Sequence, residues 1–304
     1  MQLKNILFMI LLSMPTGFTW ATSGILFLAH GSMSGNSHSM MNKNCEASAP
    51  SPWERAILDA QLEIKEKLPY QSEVAFGMWN THCFNAAISR LEKQLLLQGK
   101  NLDHLLVLPL FISSYSAVIE MQKFIFKKRP DRVIPLPNVM PIAYAGKISY
   151  LPALDYDPQI SMILANRFHH LVHLAKEQGY KRQQMELVLV MHGPVSDKDN
   201  IKWLSMGKKY AEDITYLFPV HNAHIVSLRD DAPAEVRDLA TKKLREIVQG
   251  AAATGKKALI LPLLISQGGI EKGILARLEN LDYIWSGEML FPDKKLSDIL
   301  IGKF

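Results

Sequence analysis

Two cysteines in 304 residues, Cys45 and Cys83, are too few for a disulfide-built scaffold or for a cysteine-rich metal cluster. Positive charge is in small excess, with 34 Lys/Arg against 29 Asp/Glu and a formal net charge of +5. No dense basic face stands out, the tightest run being Lys127-Lys128-Arg129, and this argues against nucleic acid as a partner. No Walker-type loop, dinucleotide fingerprint or Gly-x-Ser-x-Gly elbow occurs, which leaves no motif for nucleotide binding or for serine-hydrolase chemistry. Beyond the first twenty residues no run is long and apolar enough to cross a bilayer. What is present is globular: 48% hydrophobic and 21% charged residues, a length for one large domain or two ordinary ones.

The N-terminus reads as a secretory signal. Lys4 supplies a short positive region, residues 6–14 a compact apolar one, and Thr19-Trp20-Ala21 a cleavage site. The mature chain is then expected to start near Thr22, to be periplasmic or secreted, and to keep no stable membrane span after cleavage; an uncleaved N-terminal anchor is the alternative reading. In an oxidising compartment Cys45 and Cys83 are expected to form a disulfide across a separation of 38 residues. Such a bridge is worth about 4 kcal/mol on the chain-entropy argument. A soft-metal site is the rival reading, because Met33, His38, Met40 and Met41 lie in the same loop as Cys45, and His82 sits beside Cys83.

Apolar runs alternate with helical periodicity. Strands are expected at 25–29, 74–78 and 105–112, and helices from Ser51-Pro52 and over 85–97 and 116–126. This β-α alternation predicts an α/β fold with mostly parallel sheets and helices on both faces. The pattern then recurs. "LVLVMHG" ending in His192-Gly193 echoes "ILFLAHG" ending in His30-Gly31, and "ALILPLLIS" around Pro262 echoes "LLVLPLFIS" around Pro109. The offsets are 162 (His30 to His192) and 153 (Pro109 to Pro262), so the chain is read as two similar lobes. We expect an N-terminal lobe over 22–129, a Pro-rich link over 130–158 with six prolines, and a C-terminal lobe over 159–304 opened by a helix over 162–176.

In parallel sheets, ligands meet the carboxyl ends of strands, where both His-Gly pairs fall. The polar loop after His30 favours a functional histidine. His192 runs instead into Pro194 and a helix start at Ser196-Asp197, so a structural relic of duplication is an equal reading there. His169, His170 and His173 lie on a helix without a zincin-type acidic partner and read as a solvated or interlobe face. His221 and His224 read as loop residues.

"FLAHGS", "VAFGM" and "VLPLFISS", followed by the second set "VMHG" and "ILPLLIS", resemble the sirohydrochlorin cobalt/iron chelatases, of the class II tetrapyrrole chelatases. The resemblance spans roughly residues 24 to 285. It implies two flavodoxin-like lobes facing a cleft. There a divalent cobalt, nickel or iron ion is bound by histidines and a carboxylate and passed into a tetrapyrrole, and a homodimer is compatible with it. His30 matches the first metal-binding histidine of that family, and His192 is its counterpart in the second copy. Gly31 and Ser32, Ser113 and Ser114, and Gly268 and Gly269 are then candidate ligand-binding positions. The second histidine that the family places after the third strand is absent from "SSYSAVIE" (residues 113–120) and from "SQGGIE" (residues 266–271). Tyr115 is the natural substitute, with Glu120 and Glu271 as carboxylate partners. An exported, non-catalytic metal or haem/tetrapyrrole carrier on the same scaffold is the alternative function.

Overall fold

A computed structural model of the chain describes residues 22–30, 45 and 51–304. The elements run β1 (Ser23–Ala29), α1 (Pro52–Lys67), β2 (Gln71–Phe76), α2 (Thr81–Leu96), β3 (His104–Pro109), α3 (Ala117–Ile125), β4 (Lys147–Tyr150), α4 (Pro158–Glu177). The same order repeats as β5 (Met185–Met191), α5 (Asp197–Leu217), β6 (Asn222–Ser227), α6 (Ala234–Ala253), β7 (Lys257–Leu263), α7 (Gly269–Arg277), β8 (Tyr283–Trp285), α8 (Lys294–Ile301). Each set builds one four-stranded parallel sheet, ordered β2-β1-β3-β4 and β6-β5-β7-β8. Register makes the repeat exact at residue level: Leu28 pairs with Pro109 as Val190 pairs with Pro262.

The continuous apolar runs are the inner strands, buried on both faces as a covered parallel sheet requires. β5 and β7 are buried at every residue. Alternation along the strands then sorts the cores. Ile25, Phe27 and Ala29 share one core with Leu187, Leu189 and Met191 and with residues of α1, α4, α5 and α8. Leu26 and Leu28 face a second core against α2 and α3, while Val188 and Val190 face a third against α6 and α7. The first core belongs to both lobes. The last helix of each lobe helps build it, α4 packing on β7 and α5, and α8 packing on α1 and α4. A shared apolar interior fixes one sheet relative to the other, and with it the two rows of strand ends.

Helix starts follow their capping residues. Ser51 caps α1 in a reciprocal box: its Oγ accepts from Glu54 N at 3.2 Å while Glu54 accepts from Ser51 N at 2.9 Å. Asn80, Ser116, Asp157 and Ser196 cap α2, α3, α4 and α5. The Pro-rich stretch is more than a connector, because β4 lies inside it and pairs with β3 as an edge strand. Its prolines stay outside that short strand, where ladder donors are not required. No helix among the described residues is long and apolar enough to cross a membrane.

Candidate functional site

His30 and His192 leave β1 and β5 at equivalent points. Gly77 N donates to Ala29 O at 2.8 Å in one lobe, as Leu228 N donates to Met191 O at 2.9 Å in the other. His30 is partly buried. The His192 side chain is 28% exposed, and its Nε2 lies 3.5 Å from Asp231 Oδ2. Burial is the main influence on this imidazole and lowers its pKa below the ordinary histidine value. The Asp231 and Asp230 carboxylates pull the other way, and the charges of His30 and Arg277 lower it further. The two imidazoles, one from each lobe, are thus near enough to act on each other, and His192 is held neutral with a lone pair available at neutral pH.

The loop carrying His192 is braced from the end of β6. Gly193 adopts φ +78°, and a Cβ there would stand 1.8 Å from Ser227 Oγ, so only glycine fits. Arg229, buried and itself at φ +58°, donates through Nε to Pro194 O at 3.0 Å and through a second nitrogen to Val195 O. Its remaining arm meets Asp197 Oδ1 at 2.6 Å. Asp230 is paired with Arg277, the last residue of α7, which leaves Asp231 as the carboxylate beside His192. These two aspartates escaped the sequence reading. The signal was available: "IVSLRDD" sets an acidic pair just past an apolar strand end, the point where "VAFGMWN" has none in the first lobe.

The loop after β3 is tied both within its own lobe and across to the other. Tyr115 is 47% exposed, and its carbonyl accepts the indole N–H of Trp203, on α5 of the other lobe, at 2.7 Å. Ser113 is buried and accepts from Tyr115 N at 3.2 Å. Ser114 gives its N–H and Oγ–H to Asp155 at 2.7 and 2.6 Å. Both serines are therefore engaged in shaping the loop, Ser113 as acceptor and Ser114 as donor. The Glu120 carboxylate is engaged by Lys123 at 2.7 Å and Arg129 at 2.5 Å. In the second lobe Gly268 N donates to Glu271 Oε2 at 3.3 Å, and open space lies above Gly268 and Gly269.

Gly31 and Ser32 lie outside the described residues, as do Met33, His38, Met40 and Met41. Cys45 and Cys83 are joined in a disulfide with Cα atoms 5.0 Å apart, Cys83 being buried in the first turn of α2. His169 stacks on Phe218 with ring centres 5.1 Å apart, and His170 Nδ1 meets Glu288 at 2.7 Å. His224 belongs to β6, where its Nε2 lies 3.0 Å from the buried Glu186, because an edge strand tolerates a polar side chain that finds a partner. Among the described residues, no three His, Cys, Asp or Glu side chains are clustered tightly enough to hold a metal ion as they stand. His30, His192 and Asp231 each follow a strand end, of β1, β5 and β6; Asp231 lies against His192, whose electrostatics also carry the charge of His30.

Neither a family model nor a curated protein matches the sequence. Solved structures do match. One is SirB from Bacillus subtilis with Fe3+, with a TM-score of 0.54 and 14% identity, covering 93% of this chain and 94% of that one. Another is CbiX, the terminal enzyme for biosynthesis of siroheme in denitrifying bacteria, with a TM-score of 0.53 and 14% identity, covering 92% of this chain and 97% of that one. Two parallel four-stranded sheets, a shared interlobe core and likeness over nearly the full length of these structures give this chain the class II chelatase-like fold.

Proposed function

We propose that the protein binds a divalent transition-metal ion in the crevice between its lobes and passes it to a bound tetrapyrrole, in the manner of a sirohydrochlorin chelatase. The observation that carries this reading is the meeting of His30 and His192 from equivalent strand ends, with Asp231 against the second imidazole. Two imidazoles and a carboxylate are borderline ligands suited to Co²⁺, Ni²⁺ or Fe²⁺. An open, three-point set suits an ion that must leave again, since four pyrrole nitrogens can outcompete it. Insertion releases two pyrrole protons. Asp231, 64% exposed, and neutral His192 are the groups placed to accept them. Tyr115, on the loop that Trp203 ties across the lobes, offers a phenol where an imidazole would bind metal better. The Cys45–Cys83 disulfide supports an oxidising, periplasmic or secreted location.

Calorimetric titration of Co²⁺, Ni²⁺ and anaerobic Fe²⁺ tests the site. His30→Ala and His192→Ala should each weaken binding about tenfold or more, as each deletes one ligand. Equal affinities in the two variants and the parent protein would remove both residues from the site. Insertion is followed separately by the absorbance change of sirohydrochlorin.

A second reading, an exported carrier without insertion activity, is favoured by the loop after β3. That loop has no imidazole, and the Glu120 carboxylate near it is already paired with two cations. Retention of metal or porphyrin with no insertion above background, and gained insertion in Tyr115→His, would support the carrier.

A further inference from the structure

The tightest basic run in the sequence takes no part in the crevice. Residues 120–132 hold five Lys/Arg against two Asp/Glu, an excess of three charges in a chain whose total is +5. They surround a surface cleft of about 450 Å³ lined by Phe124, Lys127, Lys128, Arg129, Pro130 and Pro141. The cleft lies past the C-terminal end of α3. That nine-residue helix separates it from Tyr115 by about 13 Å of helical rise.

Three features go beyond simple helix capping. Lys127 sits at φ +58°, in the left-handed conformation that normally selects glycine at a helix end, and it closes that end with its own N–H on Phe124 O at 3.0 Å. That conformation carries the Lys127 side chain to the wall of the cleft. Arg129 Nε is buried and finds no acceptor among the described residues, although the same guanidinium reaches Glu120. That N–H is a donor the protein itself leaves unused. Arg132 lies over the Phe124 ring at 5.3 Å and adds a further cation beside the cleft wall. Lys127 Nζ and Lys128 Nζ do donate to Tyr144 O and Ile148 O, at 2.7 and 2.5 Å. Each ammonium has three donors, so two on each remain.

We infer that this cleft is a second ligand site, separate from the interlobe crevice. It takes a small anion with two or more carboxylate or phosphate groups, any apolar part lying against Phe124, Pro130 and Pro141. Calorimetry at low ionic strength with citrate and with inorganic pyrophosphate tests it, alongside vesicles of phosphatidylglycerol. At least one soluble anion should bind at one per chain. Lys128→Ala and Lys127→Gly, the latter keeping a backbone suited to positive φ, should each weaken binding about three- to fivefold without lowering the thermal midpoint. Arg129→Gln should weaken it further, and the His30→Ala/His192→Ala double variant should bind as the parent does. The inference is overturned by absence of saturable binding, by affinities indifferent to the three cleft substitutions, or by loss of binding in the double histidine variant. Binding to the vesicles alone would also overturn it, in favour of a membrane surface.

Discussion

The two lobes share one topology, yet they secure the same strand end by unlike means. Behind His30 the chain past β2 reads Gly77-Met78-Trp79-Asn80, and the region is tied by the Cys45–Cys83 bridge and by buried Gln122, which donates to Met78 O at 3.0 Å. Behind His192 the equivalent residues are Leu228-Arg229-Asp230-Asp231, and the ties are ionic: Arg229 to Asp197, Asp230 to Arg277. Duplication has kept the strand-His-Gly frame and let its support diverge. A covalent staple needs no partner charge, and the described residues 77–80 past β2 carry none. An ionic brace puts two carboxylates close to the second imidazole, an asymmetry that has no counterpart past β2 in the first lobe.

Breaking each kind of support separately would sharpen the contrast. The largest effect is expected from the staple. Cys45→Ser with Cys83→Ser should lower stability by about 4 kcal/mol in urea unfolding, the loop-closure value for a separation of 38 residues. Amide exchange should rise first around α2, in the first lobe. Next comes Arg229→Met, which copies the first lobe's residue into the second. It strands Pro194 O and Val195 O and leaves Asp197 without its cation, and a loss of about 3 kcal/mol should follow. Metal affinity should fall with it, because the His192 loop loses its brace, whereas the staple variant should affect His30. A loss under about 1 kcal/mol would show that the brace is replaceable by packing.

Trp203→Phe tests the tie between lobes. It removes the single indole N–H that Tyr115 O accepts at 2.7 Å and should cost about 1 kcal/mol by the same measurement. The smallest effect concerns pH. His104 on β3 has its pKa lowered by burial, with the charges of Lys147 and Lys128 adding to it, while the register-equivalent residue in the second lobe is Lys257. The unfolded chain therefore binds the His104 proton first. Its contribution is intact above the ordinary value of 6.5 and is lost as pH falls below that toward the lowered value. His104→Gln should flatten this acid limb, measured as unfolding free energy against pH, and no substitution at Lys257 should do so.

The inner strands were legible because burial on both faces writes an unbroken apolar run, and the doubled motif followed from two such runs at fixed offsets. β4 and β8 were not read: they are short edge strands of mixed exposure, and neither alternation nor length marks them. His224 was read as a loop residue for the same reason, since its edge strand begins polar. At the site, His30 and His192 could be singled out by position, and the acidic pair past β6 was visible in the same way, but not that Asp231 rather than Asp230 would lie beside His192. The role of Asp231 depends on which strand end faces which, and that is set by the crossovers.

Local pattern determined the inner strands, the helices capped beside them and the two histidines at parallel strand ends, because periodicity and capping are properties of a few neighbouring residues. Tertiary structure alone decided that the two lobes share one core, that the charge of His30 is felt at His192, and that Asp231 lies beside His192 while Glu120 turns to Arg129. Those outcomes rest on contacts between residues scores of positions apart, where the packing of sheets and helices, and no local preference, selects the partner.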